Sequence, residues 1–201
     1  MQVRTSFVRA ASVGVALLTG AVVVPTAAQA ASYTHRDATH DVQRFDFSTD
    51  AFSRADHNKR ADITTATFTY TRHTLTTVLH LRSGSIGDQW AYGGRIRTST
   101  GRELVVNIQI PPTEKLVELE TRHGDRLSCD GLTRHAARSK GRLTVTVPSS
   151  CLGHPRWVRA GAAYGYTVND NHQFGDDALQ KRGLTADSRY GLSPRLRLKA
   201  S

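Results

Sequence analysis

The dominant pattern along the chain has a period of two. Over 63–71, Ala66, Phe68 and Tyr70 fall on one side of an extended backbone and Thr65, Thr67, Thr69 and Thr71 on the other. After Arg72-His73-Thr74, Leu75, Thr77, Leu79 and Leu81 alternate with Thr76, Val78, His80 and Arg82. Two alternating threonine-rich runs joined by a short polar link predict an antiparallel hairpin. The pattern recurs over 92–98 and 103–110, flanking Ser99-Thr100-Gly101-Arg102, and over 115–121 and 126–129, flanking Arg122-His123-Gly124-Asp125. Pro111-Pro112 stops one strand, because proline cannot donate to the ladder. Leu143, Val145 and Val147 alternate with threonines, and Val158, Ala160, Ala162, Tyr164, Tyr166 and Val168 trace one further apolar face.

Helical periodicity is scarce. The reading is therefore an all-β single antiparallel β-sandwich, jelly-roll or immunoglobulin-like, of about 7–9 strands. Residues 31–61 and 169–193 are rich in Asp, Asn, His, Gly and Ser and read as loops. Leu196-Arg197-Leu198-Lys199 reads as a last edge strand or a basic tail. The division expected is 1–30 signal peptide, 31–61 N-terminal loop-rich segment and 62–201 sandwich domain.

The first thirty residues change the picture by fixing a compartment. Arg4 and Arg9 precede an apolar stretch over 10–24, and Ala28-Gln29-Ala30 supplies a small-x-small cleavage site. That order is a secretory signal, too short for a spanning helix, and it predicts a secreted, extracellular chain cleaved near Ala30 with no transmembrane segment left. About 171 residues remain, enough to bury a core without a metal staple. Cys129 and Cys151 both lie in the exported part, and an even pair in an oxidising compartment reads as one disulfide.

The formal charge of +10 falls to about +8 once the signal is removed. A basic protein favours anionic partners such as cell-wall polymers, acidic polysaccharide, nucleic acid or lipid headgroups. The charges are dispersed into short clusters, of which Arg134, Arg138, Lys140 and Arg142 form one.

Candidate chemistry is sparse. All nine histidines lie after the signal, none in an HExxH or HxH spacing that would specify zinc. Ser128, Ser149 and Ser150 sit in no GxSxG elbow. Glu118 and Glu120 occupy the outward face of a predicted strand, and no catalytic residue is assigned. Aspartates cluster in the two irregular ends, and Asp62 opens the first convincing strand. If the termini lie side by side, Asp37, Asp41, Asp176 and Asp177 converge into an oxygen-rich set of the kind calcium takes. Trp90, Tyr92 and Trp157 lie near strand ends, where a ring could stack on a sugar.

The run Pro148-Ser149-Ser150-Cys151-Leu152-Gly153-His154-Pro155-Arg156-Trp157-Val158 resembles one in uncharacterised secreted β-sandwich proteins of the actinobacterial type. In that group a strand ends in Pro-x-x-Cys-Leu-Gly-x-Pro and resumes with Trp-Val, and Asp37-x-x-x-Asp41-Val42 with Asp62-Ile63 also fits. The resemblance implies a secreted, disulfide-bonded sandwich and supplies no activity. The expectation is a non-catalytic, monomeric extracellular binding module for carbohydrate or an anionic cell-wall polymer. The alternatives are a basic interactor with nucleic acid (the less favoured partner) or a membrane surface, and a secreted hydrolase.

Overall fold

The structure is a computed structural model that describes residues 30–110, 116–168, 171–181, 183–184 and 190–198. The expected signal peptide lies outside the described residues up to Gln29. The chain folds as two antiparallel sheets packed face to face. Among the described residues fourteen strands run in chain order: β1 (Ala31–Arg36), β2 (Gln43–Asp46), β3 (Ala51–Arg54), β4 (Ile63–Tyr70), β5 (Thr74–Leu81), β6 (Trp90–Thr98), β7 (Glu103–Ile110), β8 (Leu116–Thr121), β9 (Arg126–Leu127), β10 (Thr133–Ala137), β11 (Arg142–Pro148), β12 (Trp157–Val168), β13 (His172–Asp177) and β14 (Leu196–Arg197). The smaller sheet has the order β1-β4-β5-β11-β10. The larger has the order β3-β2-β13-β12-β6-β7-β8-β9, with β14 pairing β12. No helix among the described residues is long and apolar enough to cross a membrane.

The alternation read from the sequence becomes the inter-sheet core. Ala66, Phe68, Tyr70, Leu75, Leu79, Leu143, Val145 and Val147 face inward from the small sheet. Trp90, Tyr92, Ile96, Leu104, Val106, Ile108, Val158, Ala160, Ala162 and Tyr164 meet them from the large one. The β4–β5 turn closes because the Thr71 hydroxyl accepts from the backbone N–H groups of His73 and Thr74. The β6–β7 turn needs Gly101 at φ +82°, a conformation that a Cβ disfavours.

The all-β sandwich is as expected, with more strands than 7–9. Four of the additional strands, β1, β2, β3 and β13, fall in the two stretches read as loops. Their segments are short and polar, and their strand character comes from pairing with distant partners. β1 lies along β4 from Ala31↔Tyr70 to Arg36↔Thr65, and β13 is held between β2 and β12. Residues 31–54 are thus part of both sheets and not a separate loop-rich segment. The Cys129–Cys151 disulfide forms, with the Cα atoms 5.4 Å apart. It joins the β9-to-β10 crossover to the β11-to-β12 crossover, and a loop of this length stabilises the fold by about 3 kcal/mol in the chain-entropy picture.

Candidate functional site

Two places on this scaffold collect chemistry. The first lies where the two sheets meet. Asp37 follows β1 and Asp62 immediately precedes β4, both strands of the small sheet, and Asp41 lies in the connection from β1 to β2 of the large sheet. Asp176, in β13, comes from the large sheet. One carboxylate oxygen each from Asp41, Asp62 and Asp176 lie within 4.8 Å of one another, and the three residues are 5%, 0% and 0% exposed.

The scaffold holds one oxygen of several of these carboxylates and leaves the other bare. Asp176 Oδ2 accepts from the Ile63 N–H at 2.9 Å, a bond that crosses from one sheet to the other. Asp62 Oδ2 accepts from the His40 N–H at 3.0 Å and pairs with Arg82 Nε at 2.8 Å. Asp37 Oδ1 accepts from the Ala38 N–H at 2.9 Å. His40 adopts φ +73°, a strained value for a residue with a Cβ, and this presents its N–H to Asp62. By contrast Asp37 Oδ2, both oxygens of Asp41, Asp62 Oδ1 and Asp176 Oδ1 are buried without a hydrogen-bond partner. Burial pushes the carboxyl of Asp176 up to about 9, that of Asp37 to about 8 and that of Asp41 to about 6, and the neighbouring carboxylates add to each rise.

Of the aspartates expected to converge, Asp37, Asp41 and Asp176 are brought together. Asp177 is not among the residues whose oxygens converge, because successive residues of a strand point to opposite faces, though its charge still acts on Asp37 and Asp41. Its carboxylate lies on the outer face, where Oδ1 accepts from the Leu179 N–H and Oδ2 from Gln180 Nε2 and the Gly191 N–H. It pins the chain returning towards β14. Asp62 takes the place that Asp177 was given.

The second place is the outer face of the large sheet. A cavity of about 130 Å³ opens there, lined by Ala91, Gly93, Asn107, Gln109, Gln173 and Tyr190 among others. Among the described residues that line it there is no carboxylate or basic side chain. Small residues make the floor, and the Tyr190 ring lies so close over Gly93 that a Cβ there would meet the ring. Gln173 at its rim is paired with Phe45 of β2, and Phe45 with Phe52 of β3. Directly paired residues share a face, so the two phenylalanines and Gln173 form one row across three strands. Phe45 packs against Phe52 and Phe47, with ring centroids 4.8 and 5.1 Å away. Phe47 and Phe52 are 49% and 40% exposed.

The aromatic residues singled out in the sequence sit elsewhere. Trp90 and Tyr92 are core side chains at 3% and 4% exposure, so neither offers a ring at the surface. Trp157 is half-buried, with the Arg195 guanidinium 4.5 Å from its ring centre. The basic cluster is partly engaged as well: Arg134 lies over Trp90 at 5.7 Å and Arg138 pairs with Asp88. The surface aromatics were missed because Phe45, Phe47 and Phe52 belong to segments read as loops. Compared with known proteins, the chain matches no family model, no curated protein and no solved structure.

Proposed function

We propose that the protein is a secreted, non-catalytic binding module for carbohydrate, and that the outer face of the large sheet is its binding surface. The observation that carries this reading is the row Phe52–Phe45–Gln173 leading into the cleft with Asn107, Gln109 and Tyr190. Sugars present apolar C–H faces that stack on aromatic rings, and hydroxyls that exchange hydrogen bonds with neutral amides. The cleft is smaller than the ~300 Å³ at which pockets enclose whole small molecules. It fits one ring of a longer chain, with the phenylalanines supporting its neighbours. The uncharged side chains among the described lining residues favour a neutral polysaccharide over an anionic polymer. Among the described residues no carboxylate lines the cleft that could act as acid or base on a glycosidic bond, which supports binding over hydrolysis.

The purified mature chain is expected to be retained on one or more members of a panel of insoluble neutral polysaccharides. Phe52→Ala and Gln173→Ala are expected to weaken retention about tenfold each without changing the melting temperature by more than a degree or two. Retention that disappears at high salt would replace carbohydrate with an anionic polymer. No retention on any member, or release of soluble sugar during incubation, would overturn the proposal.

A further inference from the structure

We infer that Asp41, Asp62 and Asp176, with Asp37 beside them, form a calcium site that fastens the two sheets together. The carboxylates alone would not carry this, since acidic groups often gather without a cation. What points to one is that Asp41, Asp62 and Asp176 are at least nine-tenths buried, bring one carboxylate oxygen each within 4.8 Å of one another, and each keep at least one buried oxygen without a partner. A buried carboxylate oxygen with no donor is costly, and one such atom would be unusual. Here five occur on four neighbouring side chains. The other oxygen of Asp37, Asp62 and Asp176 is held by a backbone N–H, which fixes the direction in which the bare one points. This is the outer-shell arrangement that orients metal ligands.

The donor chemistry selects the ion. The bare atoms of the four acidic side chains are all carboxylate oxygens, which suits a hard cation. Among the described residues Arg82 is the one basic side chain in ion-pair contact with the cluster, and it touches Asp62 alone. Three converging carboxylates with Asp37 beside them supply several of the six to eight oxygens that calcium takes, while magnesium keeps several waters and holds few carboxylates. An extracellular setting tolerates affinities as weak as millimolar. The site joins the β1–β2 loop and the start of β4 to β13, so the cation would cross-link the sheets where β13 carries Gln173.

The test compares melting of metal-free protein with and without calcium chloride at neutral pH, with isothermal titration of the same ion. Saturating calcium should raise the melting temperature by about 5–10 °C, and magnesium should do markedly less. Asp41→Asn is the informative variant, because neither Asp41 oxygen holds another protein group. It should lose the calcium response yet melt, metal-free, at or above the wild-type temperature. An unchanged wild-type melt with no heat of binding would overturn the site. An equal response to magnesium would overturn the assignment to calcium. A full calcium response in Asp41→Asn would overturn the ligand set, and wild-type melting alone decides if that variant does not fold.

Discussion

Stripped of divalent cations, the protein is expected to be most stable in mild acid and to lose stability as the pH rises from about 4 to about 9. The sign follows from proton counting. An unfolded aspartate titrates near 3.8, whereas burial holds Asp37 at about 8 and Asp176 at about 9 in the fold. Between those limits the native state binds more protons than the unfolded state, so raising the pH favours unfolding. The stability contributed by the protonated carboxyls is complete below the unfolded value and is lost as the pH passes through the folded one. Each retained proton contributes a slope of about 1.4 kcal/mol per pH unit across its window. Asp41, held at about 6, adds to the loss over the lower part of the range.

The charged neighbours do not cancel this. Arg82 neutralises Asp62, and the field of Arg54 lowers the Asp41 value without offsetting burial. The ring of His40 meets Arg82 rather than an acid, and Asp177 adds negative charge from the opposite face. Calcium reverses the trend, since a cation needs ionised ligands and its affinity rises as the protons leave. Urea unfolding at pH 5, 7 and 9, in metal-free buffer and in calcium, should therefore give falling stability in the first series. The gap between the two series should widen with pH. A metal-free protein equally stable at pH 5 and pH 9 would contradict the burial of these carboxyls.

The same cluster shows what was legible in the sequence. The β4–β5 hairpin was readable because eight-residue alternating runs meet at a turn built from a local threonine. Phe68 and Leu79 needed no knowledge of their partners to be placed inward. β13, with the sequence His-Gln-Phe-Gly-Asp-Asp, looks like a turn in isolation and becomes a strand only between β2 and β12. Reading it as a loop allowed Asp176 and Asp177 to be placed in one site, which the two-residue period of a strand forbids. Asp62 gave a local signal, as an acid directly before a buried strand, but its partner Asp176 lies more than a hundred residues away. Alternation also places Trp90 and Tyr92 on the face of Ile96. Their burial was therefore legible, while the exposed row through Phe45 depends on long-range pairing.

The returning segment over the outer face makes a second large effect expected, at a residue that touches no ligand. Gly161→Val should lower stability by about 3 kcal/mol, the upper end for overpacking, and should abolish retention on polysaccharide. A Cβ on Gly161 would run into the Gly191 carbonyl oxygen, and the segment has little freedom to retreat. Ser193 N–H donates to Ala160 O at 2.8 Å, and the Ala160 N–H donates to the Ser193 hydroxyl at 3.0 Å. Arg159 Nε donates to Ser193 O at 2.8 Å, and Asp177 holds the Gly191 N–H. A valine must break some of these bonds or distort β12, and either movement shifts the adjacent Tyr190 off Gly93, where it walls the cleft. Gly101→Ala serves as the comparison. It strains a remote turn and should cost about 1 kcal/mol while leaving retention intact. A stable Gly161→Val protein that still binds would show that Tyr190 and its segment do not shape the binding surface. A destabilised one that binds normally while folded would separate the strap from the ligand and leave the phenylalanine row as the whole of the platform.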